Sequence, residues 1–401
     1  MVAERLGLPD VRRAPWLLVA LFVDALGTGL YAPVSLLYFN LVVGLPLPIV
    51  GLALSTAALA AIPVAIVTGA LVDRFGPRLV VVGGEVLQGI GFLLYLLVRD
   101  YGSLVAAQLL VAVGLRLFWS GFFPLLSDIA AADERERWFG LAGSAQSAGI
   151  GLGGLLAGAL LAVGNTAVYR PVIAADGVSF LLAAGLIYVT VRGRREPLPA
   201  GARQGAYGPL LHDRPFLSLI AANTTYTLCS IMLGVGLPVY AVKALQAPGW
   251  IVGVLFALNT AGIALAQTIT VRLLEPHRRT RSLVGAGALW AGWCLMMSLA
   301  LIVSPPFLVP YLILATAVFT AAELIHGPTS NALAASASPD ALRGAYLAAF
   351  QFSWAVANVL APVVFTILFA FGPALPWLLV GALALVGATA IRLLEPRLPQ
   401  R

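Results

Sequence analysis

Continuous apolar runs, each long enough to cross a membrane as a helix, dominate the pattern along the chain. A helix needs about 20 apolar residues to cross the roughly 30 Å hydrocarbon layer of a bilayer. Because the runs are continuous rather than alternating, they predict helices and not the strands of a transmembrane barrel. Turn residues and charges separate twelve runs, numbered here as spans 1 to 12, at residues 16–38, 48–72, 79–98, 102–126, 138–163, 168–191, 216–242, 249–274, 282–303, 307–332, 343–369 and 375–393.

The composition agrees with an all-α integral membrane protein. Of the 401 residues, 60% are hydrophobic and only 10% are charged, whereas charged residues make up about a quarter of a soluble domain. The net charge of +7 would suggest a nucleic-acid partner in a soluble protein. The positions of the arginines favour a different interpretation, so we expect no nucleic acid and a lipid bilayer as the surroundings.

Lys and Arg residues mark one side of the predicted topology. If the N-terminus is cytoplasmic, 20 of the 24 basic residues fall on cytoplasmic segments, three fall outside and Arg116 lies within a span. This asymmetry follows the positive-inside rule and predicts that both termini are cytoplasmic. The run at 16–38 is too long for the core of a signal peptide and is expected to stay as span 1. The expected location is the inner or plasma membrane.

The chain reads as two tandem halves joined by a polar stretch. Leu71 and Asp73 after span 2 are matched 202 residues later by Leu273 and Glu275 after span 8. A repeat of this kind predicts two pseudo-symmetric six-helix bundles with a substrate cavity between them at the midplane. The predicted domains are an N-terminal bundle at 1–192, a cytoplasmic linker at 193–214 and a C-terminal bundle at 215–401.

The loop after span 2 carries a motif that matches a known family. Residues 69–78 read GALVDRFGPR, which resembles the G-x-L-x-D-R-x-G-x-R/K signature of the major facilitator superfamily. From the residues alone, Gly69 lets a helix approach closely, Gly76 permits a tight reversal and Asp73 can cap a helix N-terminus. The resemblance implies a conformational latch that consists of Gly69, Asp73, Arg74, Gly76 and Arg78, with the partner acid Asp128 at the end of span 4.

Glycines recur along span 5 at helical spacing. They resemble the superfamily's antiporter motif, G-x8-G-x3-G-P-x2-G-G, which implies a proton-coupled exporter. Gly154 stands at the proline of that motif and Ala157 at one of its glycines. Small residues every four positions are also ordinary packing between membrane helices, so both interpretations stay open. The motif-like residues are Gly140, Gly149, Gly153, Gly154 and Gly158.

Two opposite charges are predicted at a similar depth in the membrane. A charge within a bilayer costs about 2.5 to 3.5 kcal/mol on insertion scales, which makes it a candidate for function. Asp24 of span 1 and Arg116 of span 4 lie about nine and ten residues from the cytoplasmic side, so at about 1.5 Å per residue they can pair. Arg116 also resembles the span 4 arginine that proton-coupled exporters of the superfamily place near a span 1 acid. We expect this pair to couple transport to protons, and a purely structural ion pair is the alternative.

Further ionisable residues lie in spans 3, 6 and 10. Glu323 and His326 share one face of span 10, and Glu323 is the second candidate for proton or substrate binding because some drug exporters of the superfamily carry a functional acid there. His326 either relays protons or caps a turn before Gly327. Glu85 and Asp176 are predicted near span ends, where we expect snorkelling or local pairing at the membrane interface.

These features predict a secondary active transporter that works by alternating access and needs no cofactor beyond a proton gradient. Acids outnumber Arg116 within the spans, so the cavity should favour cations and protons. The expected activity is proton-coupled efflux of small amphipathic or cationic compounds by a monomer. The aromatic residues expected to line the cavity with apolar neighbours are Trp119, Phe122, Tyr226, Phe350 and Trp354.

Two other functions were weighed against this one. A nutrient or metabolite symporter or uniporter of the same fold is the alternative that the incomplete span 5 motif leaves open. A membrane enzyme is disfavoured, because the chain has three His and no G-x-S-x-G or H-E-x-x-H motif. Cys229 and Cys294 are too few for a disulfide framework or a metal site, and we expect them to be packing residues.

Overall fold

The structure, a computed structural model, describes residues 14–130, 134–163, 165–191, 207–339 and 342–398. Within these residues, eleven helical segments are long and apolar enough to cross a membrane, and there is no strand. The helices of spans 1 and 3 to 12 are, in order, Pro15–Tyr31, Pro77–Tyr95, Tyr101–Ile129, Arg135–Ala162, Tyr169–Thr190, Arg214–Val235, Trp250–Leu274, Arg279–Leu299, Pro305–Ala337, Arg343–Phe371 and Leu375–Leu394.

Span 2 is interrupted near its middle by a turn. It consists of helix Leu47–Ala60, a turn at residues 61–63 and helix Val64–Phe75. Pro63 has no N–H with which to continue the helical ladder, and its ring clashes with the preceding turn. The backbone instead makes tight turn hydrogen bonds, from Ile62 N to Leu59 O and from Val64 N to Ala61 O. The prediction of one continuous helix over 48–72 is therefore wrong.

Spans 1 and 7 end in the same unusual way. After the main helix, each chain segment contains a proline and then a π turn, at Tyr38–Val42 and at Tyr240–Ala244. The Tyr38 hydroxyl donates a hydrogen bond to the Tyr95 carbonyl oxygen, and the Tyr240 hydroxyl donates one to that of Met297. Both members of the second pair follow the first by 202 residues, so the repeat seen in the sequence extends to the packing.

The chain divides into two compact units, described here separately. The N-terminal unit comprises Met1–Pro199 with Val252–Ala257, and the C-terminal unit comprises Ala200–Ile251 with Leu258–Arg401. In the N-terminal unit, span 1 packs on spans 5 and 6, and span 3 packs on spans 4 and 6. In the C-terminal unit, span 7 packs on spans 11 and 12, and span 9 packs on spans 10 and 12. The predicted linker lies mostly outside the described residues, so its boundaries stay predictions.

Glycines bring spans 1 and 5 into backbone contact. A Cβ placed on Gly149 would lie 2.6 Å from the Phe22 carbonyl oxygen, and one on Gly153 would lie 2.2 Å from that of Leu26. A Cβ on Gly29 would meet the backbone of Ile150 at 2.3 Å. Helices gain little from hydrophobic burial within lipid, so close van der Waals packing of small residues holds them together.

We predict that Gly153→Ala destabilises the protein by about 1–3 kcal/mol, because the new methyl group collides with backbone rather than with a movable side chain. Gly140→Ala is the matched control, since a Cβ there meets no heavy atom within 4 Å. Removing a helical glycine at an open position stabilises by about 0.5–1 kcal/mol. Thermal unfolding of the two purified variants measures the difference, and equal melting temperatures would contradict the close contact.

Candidate functional site

The loop between spans 2 and 3 reverses the chain at Gly76. Its φ of +81° is one that side-chain-bearing residues rarely adopt, so the predicted tight reversal is present. The next helix begins at Pro77, whose fixed φ suits a first helical position. Arg78 donates a hydrogen bond to the Tyr188 carbonyl oxygen, and its guanidinium lies 5.0 Å from the centroid of that ring. The start of span 3 is thereby tied to the end of span 6.

The other latch residues are more open. Asp73 and Arg74 are exposed, and the Arg74 guanidinium lies 5.3 Å from the Phe75 ring centroid. A Cβ on Gly69 would meet no heavy atom within 4 Å. The expected close helix approach at Gly69 is therefore wrong, because that side of the helix faces open space. The role of Asp128 as the partner acid of the latch stays a prediction.

The motif-like glycines of span 5 differ in their surroundings. Gly149 and Gly153 form the contact with span 1 described above. Within the same unit, a Cβ on Gly154 would lie 3.1 Å from Phe256 Cβ, and the Gly158 Cα lies 2.5 Å from the position of a Cβ on Gly253. Most of the glycines thus serve close packing, and their role in antiport stays a prediction.

The predicted ion pair between Asp24 and Arg116 does not form in the described part of the chain. Asp24 is 8% exposed, and its Oδ1 atom has no hydrogen-bond partner. Span 1 packs on spans 5 and 6, whereas span 4 packs on spans 2 and 3. Equal depth therefore did not imply contact, because the two residues lie on helices that are not close neighbours.

Asp24 instead lies near two other acids in the core of the N-terminal unit. Glu85 of span 3 and Asp176 of span 6 are 1% and 0% exposed, so the expectation that they lie at the membrane interface is wrong. They lie close enough that, when ionised, the three carboxyl groups would repel one another. The Ser179 hydroxyl donates to the Asp176 carbonyl oxygen at 2.8 Å, but one oxygen of each carboxyl group has no partner among the described residues.

In the C-terminal unit, Glu323 is fully hydrogen-bonded by residues of two other spans. Ser230 of span 7 donates to its Oε1 atom at 2.9 Å, and Asn259 of span 8 donates to its Oε2 atom at 2.9 Å. The Asn259 amide also contacts the Thr320 hydroxyl at 3.2 Å. Glu323 itself is partly exposed. The arrangement holds a carboxylate in a fixed orientation that a ligand can reach.

His326 is buried and belongs to a separate chain of hydrogen bonds. Its Nε2 atom lies 2.7 Å from Asn223 Oδ1, Asn223 Nδ2 donates to Ser353 Oγ at 2.7 Å, and Ser353 Oγ donates to the Phe350 carbonyl oxygen at 2.8 Å. The orientation of Asn223 requires His326 Nε2 to carry the proton. Because the chain ends on a backbone carbonyl, it cannot pass a proton on, which favours a structural role.

The predicted turn at Gly327 is absent. The span 10 helix runs unbroken from Pro305 to Ala337 with Pro328 inside it, so His326 caps no turn. The predicted lining aromatics also differ from expectation: Phe122, Tyr226 and Phe350 are buried in the cores of their own units. Trp119 is 42% exposed.

An ionic cluster at the end of span 12 was not predicted. Glu395 accepts hydrogen bonds from Arg278 at 2.9 Å and Arg281 at 3.1 Å, both at the start of span 9, and from Arg392. The clustering of these basic residues is visible in the sequence, but the acid that joins them gives no signal there. Among the described residues, no His, Cys, Asp and Glu group is arranged to hold a metal ion.

Comparison with known proteins agrees with this architecture. The sequence model of the Major Facilitator Superfamily matches residues 17–362. The chain is 26% identical over 350 residues to the multidrug resistance protein MdtH of Yersinia enterocolitica, covering 84% of this chain and 83% of that one. It is 24% identical over 383 residues to MdtH of Klebsiella pneumoniae, covering 94% and 92%.

Solved structures show the same fold at low sequence identity. The nucleoside transporter NupG superposes with a TM-score of 0.78 at 12% identity, over 94% of this chain and 98% of that one. A peptide transporter of the POT family gives a TM-score of 0.76 at 14% identity, over 98% and 97%. With two compact helical units, the latch-like loop and a family match over most of its length, this multi-pass membrane protein belongs to the Major Facilitator Superfamily of transporters.

Proposed function

We propose that the chain is a proton-coupled exporter of small amphipathic or cationic compounds. The observation that carries the proposal is a set of four acids within the spans, none of which forms an ion pair with a described residue: Asp24, Glu85, Asp176 and Glu323. Such groups are costly in a membrane and attract protons and cations. The direction of transport rests on the relatives, which are named as multidrug resistance proteins.

Glu323 is proposed to bind the positive charge of the substrate. Ser230 and Asn259 hold its two oxygens in place and come from different spans, so the carboxylate need not reorganise when a cation arrives. Its partial exposure leaves room for approach. Asp24, which is more deeply buried, is proposed to carry the proton. This proposal does not require Arg116 to pair with Asp24.

A proton gradient supplies enough free energy for export. One proton moving inward contributes about 2.3 kcal/mol per 100 mV of potential and about 1.4 kcal/mol per pH unit. Protonation of a carboxyl group removes the charge that holds a cation, so a proton and a cationic substrate exclude each other at one carboxyl group and proton binding promotes substrate release. Alternating access of the two units then exports the substrate.

Uptake by a symporter or uniporter of the same fold is the second candidate. The feature that favours it is the departure of span 5 from the antiporter motif at Gly154 and Ala157. The two functions differ in direction, which a transport assay separates. An efflux-deficient host that expresses the chain should survive a panel of toxic amphipathic cations better than the empty host, and the advantage should fall when the external pH is raised.

We predict that Glu323→Gln lowers proton-driven transport of a monovalent cationic substrate by at least about tenfold, since a lost charge-assisted contact is worth about 1.5–3 kcal/mol. The glutamine keeps the size and most hydrogen bonds of the site, so the protein should still fold. Inverted vesicles with a fluorescent cation report the rate. Asp100→Asn, at an exposed helix cap, is the control, and equal rates in both variants would remove Glu323 from the site.

We predict that Asp73→Asn leaves the protein folded and inserted but slows transport several-fold. The loop's charges bias one conformation and do not build a core, since Asp73 is exposed. Melting temperature and transport rate are measured on the same preparation. Transport at the wild-type rate would leave the loop as a marker of topology alone.

We also propose that both termini face the cytoplasm, as the distribution of basic residues predicts. Reporter fusions at the C-terminus and at Arg203 should both give a cytoplasmic signal in intact cells. A periplasmic signal at either point would contradict the twelve-span topology, including the treatment of the interrupted span 2 as one crossing.

A further inference from the structure

We propose that Asp24, Glu85 and Asp176 form one proton-binding site inside the N-terminal unit, and that this site holds more than one proton while the three carboxyl groups are buried together. The proposal rests on the proposed function only for the role of these protons in transport. Their presence is a property of the unit itself and is testable without substrate.

Close helix crossings bring the three acids together. Spans 3 and 6 meet at Gly89 and Gly177, where a Cβ on Gly89 would lie 2.9 Å from the Gly177 carbonyl oxygen. Asp176 precedes Gly177, and Glu85 lies one helical turn before Gly89. A Cβ placed on Gly27 of span 1 would lie 2.4 Å from Asp176 Oδ1. The Asp176 carboxyl group therefore points at span 1, about one turn from Asp24.

The surroundings provide little that stabilises three negative charges: the Ser179 hydroxyl lies 3.5 Å from Asp176 Oδ1, at the limit of a hydrogen bond. The unpartnered atoms are Asp24 Oδ1, Glu85 Oε2 and Asp176 Oδ2, on residues that are 8%, 1% and 0% exposed. The other titratable groups that face them from the packed helices are the hydroxyls of Tyr31 and Tyr95. Among the described residues, Arg116 of span 4 forms no ion pair with any of the three acids. Like charges at such a site are disfavoured unless protons neutralise them.

The internal repeat shows that the fold does not need acids at this junction. Tyr226 follows Asp24 by 202 residues, and Gly287 follows Glu85 by the same number. The Tyr226 hydroxyl donates to the Leu283 carbonyl oxygen at 2.9 Å and fills the space beside Gly287, where a Cβ would lie 2.5 Å from it. The corresponding junction of the C-terminal unit is thus closed by one neutral, satisfied side chain.

The equivalent of Asp176 can be placed in the same way. A Cβ on Gly177 would lie 3.1 Å from the Gly89 carbonyl oxygen, and one on Gly381 would lie 3.7 Å from that of Ala291, which follows Gly89 by 202 residues. Gly381 therefore corresponds to Gly177, and Val380 to Asp176. All three acids have uncharged counterparts, which indicates that they serve chemistry and not packing.

Protons fit this site better than a metal ion does. A bare cation such as sodium needs several oxygen ligands arranged around it, and the described residues contain no group of three or more Asp, Glu, His or Cys arranged to hold a metal ion. A proton needs only one carboxyl oxygen, and a protonated carboxyl group can donate a hydrogen bond to its neighbour. The site has two or three acids and too few hydrogen-bond donors. Protonation of one carboxyl group supplies a donor for an unpartnered oxygen of another.

The test measures protonated carboxyl groups by infrared spectroscopy on purified, substrate-free protein in lipid nanodiscs. All variants carry Glu323→Gln, so that Glu323 does not contribute. At neutral pH, exposed acids are ionised, and the proposal expects a protonated-carboxyl band that shrinks in Glu85→Gln and in Asp176→Asn and disappears when Asp24→Asn is added to both. Asp100→Asn should leave the band unchanged.

Two results would overturn the site. One is the absence of the band at neutral pH in folded protein. The other is its loss when sodium replaces potassium at constant pH, which would indicate a metal cation. If a variant fails to express, thermal stability gives a second readout: the wild type should lose stability as pH rises, because the buried groups must ionise, and Glu85→Gln should flatten this dependence.

Failure of the site and failure of the proposed function are distinguishable. A band that follows the three acids supports the site even if no drug is exported by any variant. For transport, the triple variant is made with Glu323 intact. Export with unchanged proton dependence in that variant would place coupling elsewhere and overturn the role of the site in transport, whereas proton occupancy is decided by the spectroscopic result.

Discussion

The cost of leaving a polar group without a partner in hydrocarbon determines most of this structure. Hydroxyls deep in the spans donate to backbone carbonyls, as Tyr38 and Tyr226 do, and Glu323 receives a donor at each oxygen. Against this background, the exceptions are informative, because a protein keeps a costly arrangement where function requires it. In the described spans the exceptions include Ser55 and four Trp indoles, and the carboxyl groups among them are those of Asp24, Glu85 and Asp176.

The same constraint explains how small residues position chemistry. Lipid gives helices no hydrophobic reason to associate, so they meet where glycines let the backbones approach. The crossing at Gly89 and Gly177 sets the separation of the acids beside it. The contact at Gly153 fixes span 5 against the helix that carries Asp24. The contacts that pack these helices therefore also position the acids of the candidate site.

Much of the fold was predictable, because its signals are local. Apolar length predicted the spans, and the glycine at residue 76 predicted the reversal before span 3. The interruption of span 2 also has a local signal, Pro63. The continuous apolar run on both sides of this proline nevertheless predicts one unbroken helix. The family resemblance rested on the span 2 loop, where residue type and position are specified together.

The contacts within the site were less predictable, because they depend on which helices are neighbours. Depth along a helix is only one coordinate of a residue's position. Equal depth therefore predicted that Asp24 and Arg116 would meet, although their helices do not pack together. Glu85 and Asp176 lie near span ends in the sequence, but they face the interior. Asn259 and Ser230 gave no signal at all, since neutral polar residues are common in membrane helices and reveal their role only through Glu323.

The paired π turns that end spans 1 and 7 bear on the ancestry of the chain. Such turns are rare, and here each begins at a tyrosine bonded to the same relative carbonyl, 202 residues apart. Descent from one bundle whose gene was duplicated accounts for both. The ancestral bundle then already had this turn, and its two descendants diverged at the helix junction below it: one copy has acids there, and the other has a tyrosine bonded to the backbone. The difference between the two copies at this junction therefore arose after their duplication.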